Sequence, residues 1–352
     1  MERYNSTVSD VLKGKKEKEM NEKILITGGA GFIGHHVINS LLRDTSYDII
    51  VLDRLDTSGN LNRLKEVLDL NPTWISRVKF VWHDLKAPIN DVLCKQIGKV
   101  EYILHLAAGS HVDRSIEYPM EFVMDNVVGT TNLLDFARTS TKDTLKLFLY
   151  FSTDEIFGPA PEGVKYKEWD RYNSGNPYSA SKAAGEEMCL SYCNTYNLPI
   201  IITHSMNVFG IRQHTEKFIP LIIKKVRDGQ TVTIHSNSQR TKAGSRFYVN
   251  TEDIASAIKF LIKNHTVGDK YNIVGDREID NLELANIVAK IMNKPLYYEM
   301  VDFHSSRPGH DLRYALCGEK MKKLGWVPEK DLEERLKEVV EWTLENSDRW
   351  LL

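Results

Sequence analysis

Tyr178 and Lys182 stand four residues apart in YSASK, a spacing that puts both side chains on one face of a helix. An ammonium beside a phenol favours the phenolate and lowers a tyrosine pKa from its ordinary value of about 10. A phenol tuned in this way can take the proton of a substrate hydroxyl as that carbon is oxidised. Upstream, FSTDEIFG brings together Ser152, Thr153, Asp154 and Glu155. Two neighbouring carboxyl groups in a dry site can hold different protonation states, one serving as acid and the other as base, which is what elimination of water requires. Neither motif is specific alone, since Y-x-x-x-K arises by chance in many helices and adjacent acids commonly cap a helix or face water.

The missing partner for an oxidation is a hydride acceptor, and the start of the chain supplies a site for one. KILIT runs directly into GGAGFIG, with Gly28, Gly31 and Gly34 at the fingerprint spacing and Phe32 and Ile33 between them. Gly28 permits a tight turn, Gly31 lets the backbone approach a pyrophosphate, and Gly34 lets a helix pack close to a strand. The phosphates then face the helix N-terminus, whose N–H groups and dipole favour negative charge. Asp53 ends the next apolar run, DIIVLD, where a carboxylate takes both ribose hydroxyls of NAD and repels a 2′-phosphate. Arg54 beside it softens that preference, because an arginine there can accept such a phosphate. Asp84, with Leu85, lies at a following strand end, either near the adenine or as a helix N-cap. Leu106, Ala107 and Ala108 are small or apolar where the cofactor must pass.

These residues need elements to hold them at one edge. KILIT, DIIVLD, VKFVW, VEYILHLAA and LKLFLYFS are continuous apolar runs that read as buried strands. Between them, residues near 33–43, 60–70, 89–97 and 120–139 show helical spacing. A further helix is expected near 178–196, a strand near 199–205 and a last helix near 331–346. This alternation predicts an α/β chain: a seven-stranded, mostly parallel, doubly wound sheet of Rossmann type, with ligands at the carboxyl ends of the strands. Residues 23–209 read as the cofactor-binding domain. Residues 210–352 read as a smaller, partly interleaved substrate lobe, with some segments returning to the first domain. Residues 1–22, polar and lysine-rich, read as a frayed tail.

Composition narrows the function class. A hydrophobic share of 42% over 352 residues supports a large core, and a net charge of −2 argues against a nucleic-acid or membrane-surface partner. No apolar run reaches the ~18 residues of a membrane span, and no secretory h-region follows the start. Four cysteines form no disulfide framework, and no His or second Cys pair completes a metal site beside Cys189 and Cys193. A reduced, cytoplasmic setting without a metal is the expectation.

From about Lys23 to Trp342 the chain resembles the dTDP-glucose 4,6-dehydratases, through GGAGFIG, HLAAGSHVDRSI, STDEIFG, NPYSASKA, EKFIPL, YNI and RPGHDLRYA. The T-D-E triplet discriminates, since related epimerases and decarboxylases generally carry a small residue there. The resemblance implies a three-stage reaction with tightly bound NAD. Tyr178 deprotonates the hydroxyl on sugar carbon 4 as hydride leaves, with Thr153 and Lys182 assisting. Glu155 removes the carbon 5 proton, Asp154 donates to the departing carbon 6 hydroxyl, and hydride returns to carbon 6, giving a 4-keto-6-deoxy sugar. It also implies substrate contacts from Ser110, Asn207, Lys217, Phe218, Asn272, Arg307 and His310, the cations suiting a pyrophosphate.

The sequence departs from that pattern around the nucleotide. Gly109 stands where the family carries glutamate, Phe157–Gly158 replaces Y-G, and Val208 replaces an asparagine. QRTKAGSRFYV is about two residues longer than the family's R-D-W-L-Y-V, so the pyrophosphate arginine is Arg246 or, alternatively, Arg240. A UDP-glucose-specific 4,6-dehydratase, or a UDP-sugar 4-epimerase or decarboxylase, remains the alternative enzyme, and a non-catalytic sugar-nucleotide sensor the alternative class; intact Asp154, Glu155, Tyr178 and Lys182 argue against the sensor. A homodimer is expected through the helices near 120–139 and 178–196. The second carries Ala183, Ala184, Met188, Cys189, Leu190, Tyr192 and Cys193, more apolar surface than one sheet face should cover.

Overall fold

The computed structural model describes residues 21–56, 58–302 and 312–351. Apolar β-branched runs form seven parallel strands: β1 (Lys23–Thr27), β2 (Asp48–Asp53), β3 (Val78–Trp82), β4 (Tyr102–His105), β5 (Leu147–Thr153), β6 (Ile200–Ser205) and, much later in the chain, Lys270–Ile273. Their order places Lys270–Ile273 beside β6, then β5, β4, β1, β2 and β3. The order reverses direction between β1 and β4, and at such a switch point the loops on either side part and leave a crevice. Leu25 and Ile26, both fully buried, face opposite sides of β1 and join different cores, which is why these strands show no polar alternation.

One face is covered by the helices Phe32–Asp44 and Thr251–Lys263, which pack on each other. Thus a helix and a strand drawn from beyond residue 210 pack with the central sheet. The other face carries Gly129–Ser140 and Pro177–Tyr196. The remaining segments, including Phe218–Arg227, Asn281–Ile291 and Leu332–Glu345, bury a separate apolar cluster over the carboxyl edge.

The helix expected at 120–139 is not continuous. Pro119–Val123 leads into a π-turn at Met124–Val128 and then Gly129–Ser140. π-turns of this kind accompany side chains with a task inside the fold, and here Asn126 has one. Its amide accepts a hydrogen bond from Gly109 N (2.8 Å) and donates to Gly109 O (3.0 Å) and Ser181 Oγ (2.9 Å). It pins the loop after β4 to the helix that carries Tyr178. On that helix Cys189 is fully buried, while Met188, Leu190, Tyr192 and Cys193 are half-buried against the sheet's core. Among the described residues no helix is long and apolar enough to cross a membrane.

Candidate active site

The carboxyl ends of β1, β2, β4, β5 and β6 open into a cavity of about 730 Å³. The turn after β1 forms its floor. Gly28 has φ +69°, and a Cβ there would lie 2.8 Å from Ala107 N and 2.9 Å from Ala107 Cα, so only glycine lets the turn pass under the loop after β4. A Cβ on Gly34 would collide with the Gly28 carbonyl, so the helix needs glycine to come this close. Gly31 caps the helix without any side-chain hydrogen bond, and the first turn holds no acid, leaving the N-terminal N–H groups and dipole for an anion. Phe32, Ile33, Leu106, Ala107 and Ala108 line the same space. The turn therefore fits a dinucleotide pyrophosphate.

Asp53 is buried and receives Ala30 N at 3.0 Å and Leu55 N at 2.9 Å. Burial raises its pKa, against the pull of those two N–H donors. Arg54 is committed to carboxylates: it donates to Asp125 at 2.5 and 2.8 Å, to Asp56 at 2.6 Å and to Asp84 at 3.4 Å. Asp84 also accepts from Lys86 N at 3.0 Å, closing a turn; no helix follows it for the alternative capping role. Asp84 and Leu85 both line the cavity.

The reactive end is built by β5, the turn after it and the long helix. Asn176 caps that helix, accepting from Ser179 N at 2.8 Å while Ser179 Oγ receives Asn176 N at 3.3 Å, and Pro177 occupies its first turn. This capping box fixes where Tyr178 and Lys182 emerge. Asn176 Nδ2 also donates to Glu155 Oε2 at 3.2 Å. The signal for this positioning role was present in N-P-Y-S, an Asn–Pro start with Ser at the third helical position, but sequence reasoning passed over it.

Asp154 is 5% exposed. Thr153 Oγ1 donates to its Oδ1 at 3.1 Å, while its Oδ2 is buried with no hydrogen-bond partner among the described residues. Burial pushes its pKa up to about 6, against Arg246 and Thr153, which lower it. Tyr178 also lies higher than usual: burial raises it, the carboxylates of Glu155 and Asp154 add to this, and a hydrogen bond with Thr153 opposes it. The expected lowering by Lys182 is not supplied by the protein alone. The Lys182 ammonium donates to Phe151 O at 2.7 Å and lies 4.1 Å from the centre of the Tyr150 ring. Burial brings its pKa down to about 8, with Glu186 working against that fall.

Of the expected substrate contacts, Ser110, Asn207, Lys217 and Phe218 line the cavity together with Thr153, Asp154, Glu155, Tyr178 and Lys182. Asn272 does not. It is fully buried, with Oδ1 2.8 Å from His204 Nδ1 and its amide donating to Tyr166 O and Cys317 O, each at 3.1 Å. Its polar groups serve packing between β6 and its neighbour, which corrects the substrate assignment. Arg246 is also off the cavity lining: it donates to Ser245 O and Leu312 O, each at 2.6 Å, and stacks on Tyr314. Arg240, the alternative, is exposed on a turn at φ +57°, where Asn237 accepts Thr241 N and Lys242 N. The extra residues thus form a self-contained hairpin turn. Arg307 and His310 lie outside the described residues. His111, Arg114, Gln213 and His214 line the cavity without having been anticipated; nothing in their spacing marks them. Among the described residues no three His, Cys, Asp or Glu side chains cluster to hold a metal ion.

A glycine turn under a switch-point crevice, an acidic β2 end and a Tyr–Lys helix facing it define an extended short-chain dehydrogenase/reductase. The family model described as GDP-mannose 4,6 dehydratase matches residues 25–339. The dTDP-glucose 4,6-dehydratase of Haemophilus influenzae is 36% identical over 341 residues, spanning 92% of this chain and 98% of that one. Among solved structures, a dTDP-glucose 4,6-dehydratase from Streptomyces venezuelae with NAD bound superposes with a TM-score of 0.83 at 34% identity, covering 93% of this chain and 98% of that chain. A UDP-glucose 4-epimerase from Thermus thermophilus in complex with NAD follows at 27% identity and a TM-score of 0.78, covering 91% and 98%. The chain belongs to the nucleotide-sugar 4,6-dehydratases, NAD-dependent hydro-lyases of this superfamily.

Proposed function

We propose that this enzyme converts dTDP-glucose to its 4-keto-6-deoxy product, with NAD held on the Gly28–Gly34 turn and Asp53 at the adenosine ribose. Bound on that turn, NAD would supply the hydride acceptor for carbon 4 and the hydride donor for carbon 6. Tyr178 takes the carbon 4 hydroxyl proton, and Thr153, hydrogen-bonded to both Tyr178 and Asp154, orients that end of the sugar. Lys182 and the nicotinamide ring would be the positive charges that offset the burial otherwise keeping Tyr178 protonated. Glu155, oriented by Asn176, takes the carbon 5 proton and returns a proton there as carbon 6 is reduced. Asp154 is the acid for the departing hydroxyl.

The observation that carries the reading is Asp154: a buried carboxyl raised to about 6, with one oxygen unpartnered among the described residues, on a side chain that lines the cavity. An epimerase has no leaving hydroxyl and no use for such a group. Ser110, Asn207, Lys217 and Phe218 are proposed to contact the nucleotide-sugar, and the assembly is proposed to be a homodimer through the helix faces around Met188, in the cytoplasm. Incubation with a panel of dTDP-, UDP-, CDP- and GDP-glucose tests the substrate. The reading requires the dTDP sugar to give the 4-keto-6-deoxy product fastest; turnover of UDP-glucose alone would reassign the nucleotide, and recovery of only a 4-epimer or pentose would remove the dehydratase assignment.

A further inference from the structure

The adenosine end of the cavity holds an arrangement that the reaction does not use. Arg54 follows Asp53 directly, close to where a ribose 2′-phosphate would sit, and an arginine there is the usual means of accepting one. Its guanidinium is instead spent on three carboxylates. Asp125 takes two of its hydrogen bonds, at 2.5 and 2.8 Å, Asp56 takes Nε at 2.6 Å, and Asp84 lies at 3.4 Å. These partners differ in burial. The side chain of Asp125 is only 10% exposed, against 40% for Asp56 and 36% for Asp84. The bidentate, buried pair is the strong one, and the two exposed pairs contribute little.

Asp125 reaches Arg54 from the π-turn at Met124–Val128, across the space beside Gly109. A Cβ on Gly109 would lie 3.3 Å from Asp125 Oδ2 and 3.1 Å from the Phe122 ring, so the glycine leaves room for this carboxylate. With Asp53 included, four carboxylates face three cations, Arg54, Lys86 and Arg63, the last with its guanidinium donating to the backbone carbonyls of Ser58 and Arg212. The surroundings of the 2′ position are therefore net acidic even though an arginine is present.

We propose that Asp125 is a specificity-determining residue for the cofactor, holding Arg54 in a carboxylate clamp that denies it to a 2′-phosphate and so excludes NADP. This rests on the reading of the cavity as an NAD site. The clamp and Asp53 act on the same phosphate in different ways: Asp53 repels it, and Asp125 occupies the arginine that directly follows Asp53.

The test is competition for the cofactor site. The purified protein is incubated with equal NAD and NADP, desalted and denatured, and the two released nucleotides are quantified. The wild-type protein should retain NAD almost alone. Asp125→Ala should raise the retained NADP-to-NAD ratio by roughly tenfold to a hundredfold, the range for one charge-assisted hydrogen-bonding partner gained. Asp125→Asn, which keeps the shape of the π-turn, should give a smaller rise in the same direction. Adding Arg54→Ala to Asp125→Ala should cancel the gain. An unchanged ratio in both Asp125 variants that still retain NAD, or a gain that survives loss of Arg54, would overturn the clamp. Retention of NADP by the wild-type protein would instead overturn the NAD reading on which it rests.

Discussion

The two ends of the cavity are built on opposite principles. At the reactive end, Asp154 is 5% exposed and keeps an oxygen without a hydrogen bond among the described residues, and Lys182 is 3% exposed with its pKa brought down to about 8. At the substrate end, the Lys217 side chain is 39% exposed and lies 3.7 Å from Glu216, itself 48% exposed. One end stores dehydrated groups on a strand end and a capped helix. The other offers hydrated charges on a loop that can reorient at little cost. The difference teaches that chemistry and binding should separate under mutation, because preorganised groups act on the transition state while solvated ones act on ground-state affinity.

The largest effects should come from the two acids. Glu155→Gln should stop loss of the carbon 5 proton, and Asp154→Asn should slow water loss while still permitting oxidation at carbon 4. Each should lower kcat by ~10²–10⁴, the usual worth of general acid–base help, with KM little changed. Wild-type-like turnover in either variant would break the contrast at its reactive end.

A second effect concerns stability and pH. The folded-state pKa of Asp154 is raised to about 6 from an ordinary 3.8, so the folded protein holds this proton more tightly than the unfolded chain does. The resulting penalty is absent below about pH 4 and complete above about pH 6. Asp154→Asn should therefore stabilise the protein at pH 8 by about 1–3 kcal/mol, and far less at pH 4, measured by denaturant unfolding at both pH values. The same proton is the one donated in elimination, so the water-loss step should slow as pH rises through about 6. A stability gain equal at both pH values would show that Asp154 is not strained.

Two smaller effects sharpen the other end. Asn272→Ala should cost about 1–3 kcal/mol of stability through its lost buried partners, without raising KM; a selective rise in KM would restore it as a substrate residue. Lys217→Ala should raise KM a few-fold with kcat nearly unchanged, as exposed charges contribute little. A fall in kcat matching the loss at Asp154 would erase the distinction between the two ends.

The same division governs what could be read from the chain. The glycine turn, Asp53, the T-D-E triplet and Tyr178–Lys182 sit at the ends of successive strands and helices whose periodicity is plain, so position follows from pattern. Asn272 looked like a substrate residue because Y-N-I resembles a family motif, yet its place beside His204 was set by long-range packing that local sequence does not encode. The Arg240–Arg246 ambiguity had the same origin: the two extra residues make a turn held by Asn237, and no spacing rule says which arginine then faces inward. Arg54 was legible as a cofactor neighbour, but not its clamp, since Asp125 lies 71 positions away on a π-turn that no helical pattern announces.

The central claim is that one cavity oxidises carbon 4, eliminates water and reduces carbon 6 without releasing its hydride. dTDP-glucose carrying deuterium on carbon 4 tests this directly, with the product read by mass spectrometry and NMR. The account predicts a 4-keto-6-deoxy sugar with the deuterium on its carbon 6 methyl group. Deuterium retained on carbon 4 of an epimer, or lost to solvent, would contradict it.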